Sequence, residues 1–96
     1  MFPDFQILDA TGPIAAFEIA GRLTDGGYSV RAVAMRSGGV RSTSGVSMVA
    51  GRASRTESLH TLLIAGGEGS RAAATCPKTL SFVKAVAARA RRVVSV

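Results

Sequence analysis

Few side chains here could do chemistry. The chain has one cysteine, one histidine and six carboxylates, against twelve arginines and lysines. Asp9 stands just ahead of the first predicted helix, where a carboxylate either caps exposed N–H groups or acts on a substrate. Local context favours the cap. Gly66 and Gly67 close an apolar run and are followed by Glu68 and Gly69. Their amides could face an anion or a developing oxyanion, but a tight strand-to-helix connection needs the same glycines. The pattern is not a phosphate-binding Walker loop, since no Gly-Lys-Ser/Thr follows, and the dinucleotide fingerprint GxGxxG is absent.

The remaining candidates read as structural. Cys76 precedes Pro77 at a helix start, and His60 is the only histidine that could activate it, so a catalytic thiol is disfavoured. His60 opens an apolar strand and has no second ligand at metal spacing. No metal or cofactor is expected. Arg89, Arg91 and Arg92 complement the negative end of their helix without needing a partner.

The elements that must position these residues alternate along the chain. Phe2-Pro3-Asp4-Phe5 reads as the exit from a strand, because Pro3 removes a donor and holds its predecessor extended. Thr11, Gly12 and Pro13 then supply cap, turn and first-turn proline for a helix over residues 12–24, with Ile14, Phe17, Ala20 or Gly21, and Leu23 on one stripe. Asp25-Gly26-Gly27 ends it, and Tyr28 to Met35 alternates as a strand. Gly38-Gly39 breaks that strand. Val40 to Val49 predicts a small extended excursion or hairpin, and residues 50–58 a loop or short helical turn. Thr61 to Ala65, apolar on both faces, fits a buried parallel strand. A short helix near 70–75 and a longer one over 77–90 follow, the latter with Leu80, Val83, Ala87 and Ala90 on one stripe. Val93 to Val96 begins another strand. This order predicts a single α/β domain over residues 1–96 with a doubly wound, mostly parallel sheet.

Composition agrees with a folded chain. At 96 residues, 47% hydrophobic and 19% charged, it has room for one core and no more. The net charge of +6 is spread along the sequence with no interleaved aromatic residues to stack bases, so a solvated basic surface is expected before a nucleic-acid face. A lone cysteine excludes an intrachain disulfide and fits a reducing, cytoplasmic setting. No apolar run approaches ~18 residues, so no membrane span is expected.

The segments Phe2-Pro3-Asp4-Phe5-Gln6-Ile7-Leu8-Asp9, Thr11-Gly12-Pro13 and Phe17-Glu18 together resemble the opening of the ThiJ/PfpI-like domain of GlxA-type transcriptional regulators. Val40 to Val46 is similar to that family's β excursion, Leu62 to Gly67 to its Gly-Gly strand end, and Arg91 to Val96 to the strand leading into its cysteine-bearing elbow. The resemblance implies a flavodoxin-like fold with helices on both faces of the sheet. It implies a ligand-sensing domain with Asp9, Gly66 and Gly67 at the ligand site, a small-molecule effector and a homo-oligomer. DNA would be bound through a C-terminal AraC-type helix-turn-helix pair absent from this chain. Related isonitrile hydratases use an elbow cysteine and an acidic residue matching Asp9, so a piece of such an enzyme, or of an amidase-like one, is the alternative.

Two departures follow from the same comparison. The elbow cysteine would fall one residue beyond Val96, so the chain is expected to lack a catalytic nucleophile. The first strand, central in a flavodoxin-like order, is reduced to Met1 and Phe2. Its neighbours would then carry unpaired backbone groups at ~1–3 kcal/mol each, against a domain margin of ~5–15 kcal/mol. The isolated chain is therefore expected to be unstable, or to borrow pairing from a neighbour.

Overall fold

The computed structural model describes residues 1–96 as helices and mostly parallel strands, but the sheet is in two pieces. In chain order the elements are α1 (Ile7–Arg22), β1 (Val33–Ala34), β2 (Gly38–Arg41), β3 (Ser47–Arg52), β4 (Thr61–Ile64), α2 (Ser70–Ala74), α3 (Pro77–Ala87) and β5 (Arg92–Ser95). One sheet has the order β1-β3-β2, with β1 parallel and β2 antiparallel to β3. The other is the parallel pair β4-β5. These elements are those of a flavodoxin-like fold in which no strand joins β1 to β4.

Helix α1 starts earlier than its sequence implies. Gln6 is the N-cap, without a side-chain cap, and Pro13 lies inside the helix. Thr11 is not a cap either, since its hydroxyl donates to the Ile7 carbonyl at 2.9 Å. Tertiary contact sets this start: the Gln6 N–H donates to Gly66 O at 2.9 Å and the Asp9 N–H to Gln6 O at 3.1 Å. The expected stripe is only partly covered. Ile14 and Phe17 are half-buried, Leu23 is exposed, and Ala10 is the one buried residue of the helix.

The strand expected over 28–35 contracts to Val33–Ala34. Tyr28 and Val30 are exposed, and only β3 offers these residues a ladder. Gly38-Gly39 does not break a strand but begins β2, and Ala50, Gly51 and Arg52 belong to β3 rather than to a loop. The hairpin between them turns on Ser42, which is buried and donates its hydroxyl to Val46 O at 2.7 Å.

On α3 the buried stripe is Phe82 and Val86, and Leu80 is exposed, one step out of the expected phase. Arg89 is not merely solvated. Its guanidinium donates to the Arg55 and Glu57 carbonyls and ties the 53–60 loop to the end of the helix.

The core has two parts. Phe2, Phe5, Ala10, Ala34, Val40, Ala50 and Ala65 form the larger cluster, and Leu62, Phe82 and Val86 the smaller. Only 11 of 96 residues are buried, and the accessible surface of 6527 Å² exceeds the roughly 5,200 Å² typical of a folded chain of this mass. The excess is apolar in part, including Val93, Val94 and Val96 of the β5 segment. No helix is long and apolar enough to cross a membrane.

Candidate functional site

The carboxyl ends of parallel strands in an open α/β sheet are where loops converge to form a ligand site. At the end of β4 the chain makes such a convergence. Apolar packing of Leu62 and Ala65 seats the strand, and Gly66 to Gly69 then turn it into α2.

This turn lies directly against residues 3–6. A Cβ on Gly69 would come within 1.9 Å of Pro3 O, and one on Gly67 within 2.5 Å of the Gln6 nitrogen and 2.8 Å of Asp4 O. Gly67 also has φ +125°, a conformation that side chains with a Cβ rarely adopt. The glycines are therefore required by the close approach of two backbone segments. That contact is hydrogen-bonded as well: Gly69 N–H donates to Asp4 O at 3.0 Å and Gln6 N–H to Gly66 O at 2.9 Å. Asp4 itself adopts φ 61° and donates its N–H to Arg41 O at 2.9 Å, while Thr43 N–H donates to Phe5 O at 3.1 Å. Residues 3–6 are thus held between the hairpin and the end of β4.

Of the expected site residues, the structure brings Asp9 and Gly66 into direct contact. Asp9 lies in the first turn of α1 rather than ahead of it. Its carboxylate does not cap its own helix, because Oδ2 accepts the Gly66 N–H at 3.1 Å. The other oxygen, Oδ1, has no partner within the chain, and neither has the Gly67 N–H. Gly66 is also crowded by Val96, whose carbonyl would lie 2.5 Å from a Cβ there. The last strand therefore ends at the same place as Asp9 and the Gly-Gly turn. The arrangement offers one carboxylate oxygen as an acceptor and one backbone amide as a donor.

The other candidates lie elsewhere. Cys76 is the N-cap residue of α3, beyond α2, and is free. The nearby Thr79 hydroxyl, with the Thr79 and Lys78 amides, holds its thiol below the ordinary thiol range. His60 is exposed, and its Nδ1 lies 2.8 Å from the Thr61 hydroxyl. No three His, Cys, Asp or Glu residues are grouped to hold a metal ion.

A second feature was not visible in the sequence. An open cleft of about 630 Å³ lies between residues 52–55 and the start of α3, lined by Arg52, Arg55 and Lys78 among others. Arg55 is tied there to the Ser81 hydroxyl at 3.0 Å. Arg52 and Arg55 are three residues apart, but Lys78 joins them from 23 residues further on, so no local pattern announces the cleft.

The DJ-1/PfpI family model matches residues 1–96, and the chain belongs to that family. A search of curated proteins gave no significant match.

Proposed function

With membership of the DJ-1/PfpI family as the premise, we propose that this chain is the ligand-sensing part of a GlxA/AraC-like transcriptional regulator, binding a small molecule at Asp9, Gly66 and Gly67 without turning it over. One observation carries this reading. Asp9 is fixed by Oδ2 on Gly66 N–H, and Oδ1 and the Gly67 N–H are left for a ligand that both donates and accepts. A primary amide or a similar small polar compound has that chemistry. Cys76, the one thiol, is the N-cap residue of α3 and so belongs to a different helix from Asp9. In this reading the protein acts in the cytoplasm as an oligomer, and DNA is bound by a separate helix-turn-helix unit.

The enzyme reading rests on the same Asp9. A half-buried carboxylate at the end of β4 has the chemistry of an acid or base, which supports an isonitrile hydratase or amidase-like activity. One titration separates the two. Small amides, primary amines and an isonitrile are added to the chain while the Gly66 and Gly67 amide resonances and product formation are followed. Saturable shifts at both glycines, lost in Asp9→Ala and without product, are expected. Accumulation of a formamide or carboxylate product would overturn the sensing reading in favour of the enzyme, and shifts that persist in Asp9→Ala would remove Asp9 from the site.

A further inference from the structure

Three of the chain's twelve arginines and lysines share one concave place. Arg52 ends β3, Arg55 follows in the next loop, and Lys78 stands in the first turn of α3, and together they line the open cleft of about 630 Å³. Small-molecule sites have volumes of this order, roughly 300–1,000 Å³. None of Asp9, Gly66 and Gly67 lines the cleft, so it is separate from the site proposed above.

No carboxylate answers these charges. None of the six acidic side chains lines the cleft, and the two that form ion pairs, Glu18 and Glu57, are taken by Arg22 and Arg31. Arg55 donates through Nη1 to the Ser81 hydroxyl at 3.0 Å, while the side chains of Arg52 and Lys78 make no hydrogen bond within the chain. The first turn of α3 holds no acidic residue, so the positive end of the helix dipole adds to the same field. Cations gathered around one concavity repel one another, and an apolar wall behind them directs their field into the cleft. Met35, Ala53 and Phe82 make that wall.

We propose that this cleft binds a small phosphate monoester, with the phosphate held by Arg52, Arg55 and Lys78 and the apolar organic part lying on Met35 and Ala53. A phosphate monoester carries up to two negative charges near neutral pH and three strong acceptor oxygens, which suits three unanswered cations better than a single carboxylate does. Arg55 is already oriented by Ser81, whose hydroxyl accepts from the guanidinium and keeps its own hydrogen free to donate to the phosphate. The apolar wall calls for an organic body, since inorganic phosphate would leave it facing water. Nucleic acid fits less well. The one aromatic ring in the lining, Phe82, is buried and offers no face on which a base could stack.

The test titrates the full 96-residue chain with phenyl phosphate, using calorimetry for stoichiometry and amide resonances for location. One ligand per chain is expected, with saturable shifts at Arg52, Lys78 and Ser81 and none at Gly66 and Gly67, so each of the two sites can fail without the other. Inorganic phosphate and phenol each lack one part of the ligand and are expected to bind at least about tenfold more weakly. Arg52→Gln and Lys78→Gln leave the contact between Arg55 and Ser81 intact and are expected to lower the affinity about fivefold each. Arg91→Gln removes the same charge from an exposed position outside the cleft, and a change of less than about twofold is expected. An equal loss in Arg91→Gln would show attraction by net charge alone, and equal binding of inorganic phosphate would remove the organic part from the site. Displacement of phenyl phosphate by a lower concentration of a single-stranded RNA oligonucleotide would make nucleic acid the occupant. Each of these results, or the absence of shifts at about 10 mM phenyl phosphate, would overturn the proposal.

Discussion

Strand β4 has two margins that the structure treats very differently. At its carboxyl end, Gly66 to Gly69 lie against residues 3–6 and Asp9 with hydrogen bonds at 2.9, 3.0 and 3.1 Å and no room for a single added carbon. Along its edge toward β1, unpaired backbone groups face a gap crossed by no ladder. The clamped end is made of long-range contacts between loops, and the open edge is made of regular strands. Order in this chain therefore follows from where partners are present, not from where strand propensity is high, and the candidate ligand site lies on the ordered side.

Substitutions sharpen this contrast in graded steps. The largest effect is expected from Phe5→Ala, since Phe5 is 0% exposed at the centre of the clamp and truncating a buried Phe costs about 3–5 kcal/mol. Denaturant unfolding measures it, and a loss under 1 kcal/mol would mean that the clamp does not hold the fold together.

Gly69→Ala follows, with an overpacking cost of about 1–3 kcal/mol because its Cβ meets the backbone of Pro3. Its counterpart is Gly12→Ala inside α1, where the nearest atom is the Leu8 side chain at 3.9 Å. There the same change is expected to stabilise by about 0.5–1 kcal/mol through helix propensity. Equal effects at the two glycines would erase the distinction between a clamped turn and an open surface.

Asp9→Asn retains the shape of the side chain but removes the charge from its hydrogen bond with Gly66, and a loss of about 1 kcal/mol is expected. The smallest effect concerns Met1. Burial lowers the pKa of its amine below 8.0, so the charged form favours the unfolded chain. The penalty is fully present below the lowered pKa and relieved as pH rises to 8.0, so stability should rise through that window. Acetylating the amine should flatten this rise while keeping a donor for Val33 O.

Much of the fold was legible in the sequence. The apolar run Thr61 to Ala65 with its glycine pair, the hairpin around Gly45 and Pro77 at a helix start all describe local chemistry, and each element formed close to where it was expected. What was not legible depends on partners distant in the chain. The start of α1 is fixed by Gln6 on Gly66, 60 residues away, so the signal of Thr11-Gly12-Pro13 was outweighed. The alternation of Tyr28 to Met35 is genuine, but pairing with β3 reaches only Val33 and Ala34. Position ahead of the predicted helix made Asp9 a candidate but favoured a cap, and resemblance to the family gave it weight as a site residue. Only the folded chain shows its carboxylate on the Gly66 amide rather than on its own helix.

Amide hydrogen exchange reads both margins of β4 at once. If contacts decide order here, Gln6, Thr43 and Gly69 N–H should exchange slowly and together, while Val33 and Leu63 N–H should exchange much faster. Uniform protection across all five amides would contradict the account, because it would require a partner for the edges that the structure leaves open.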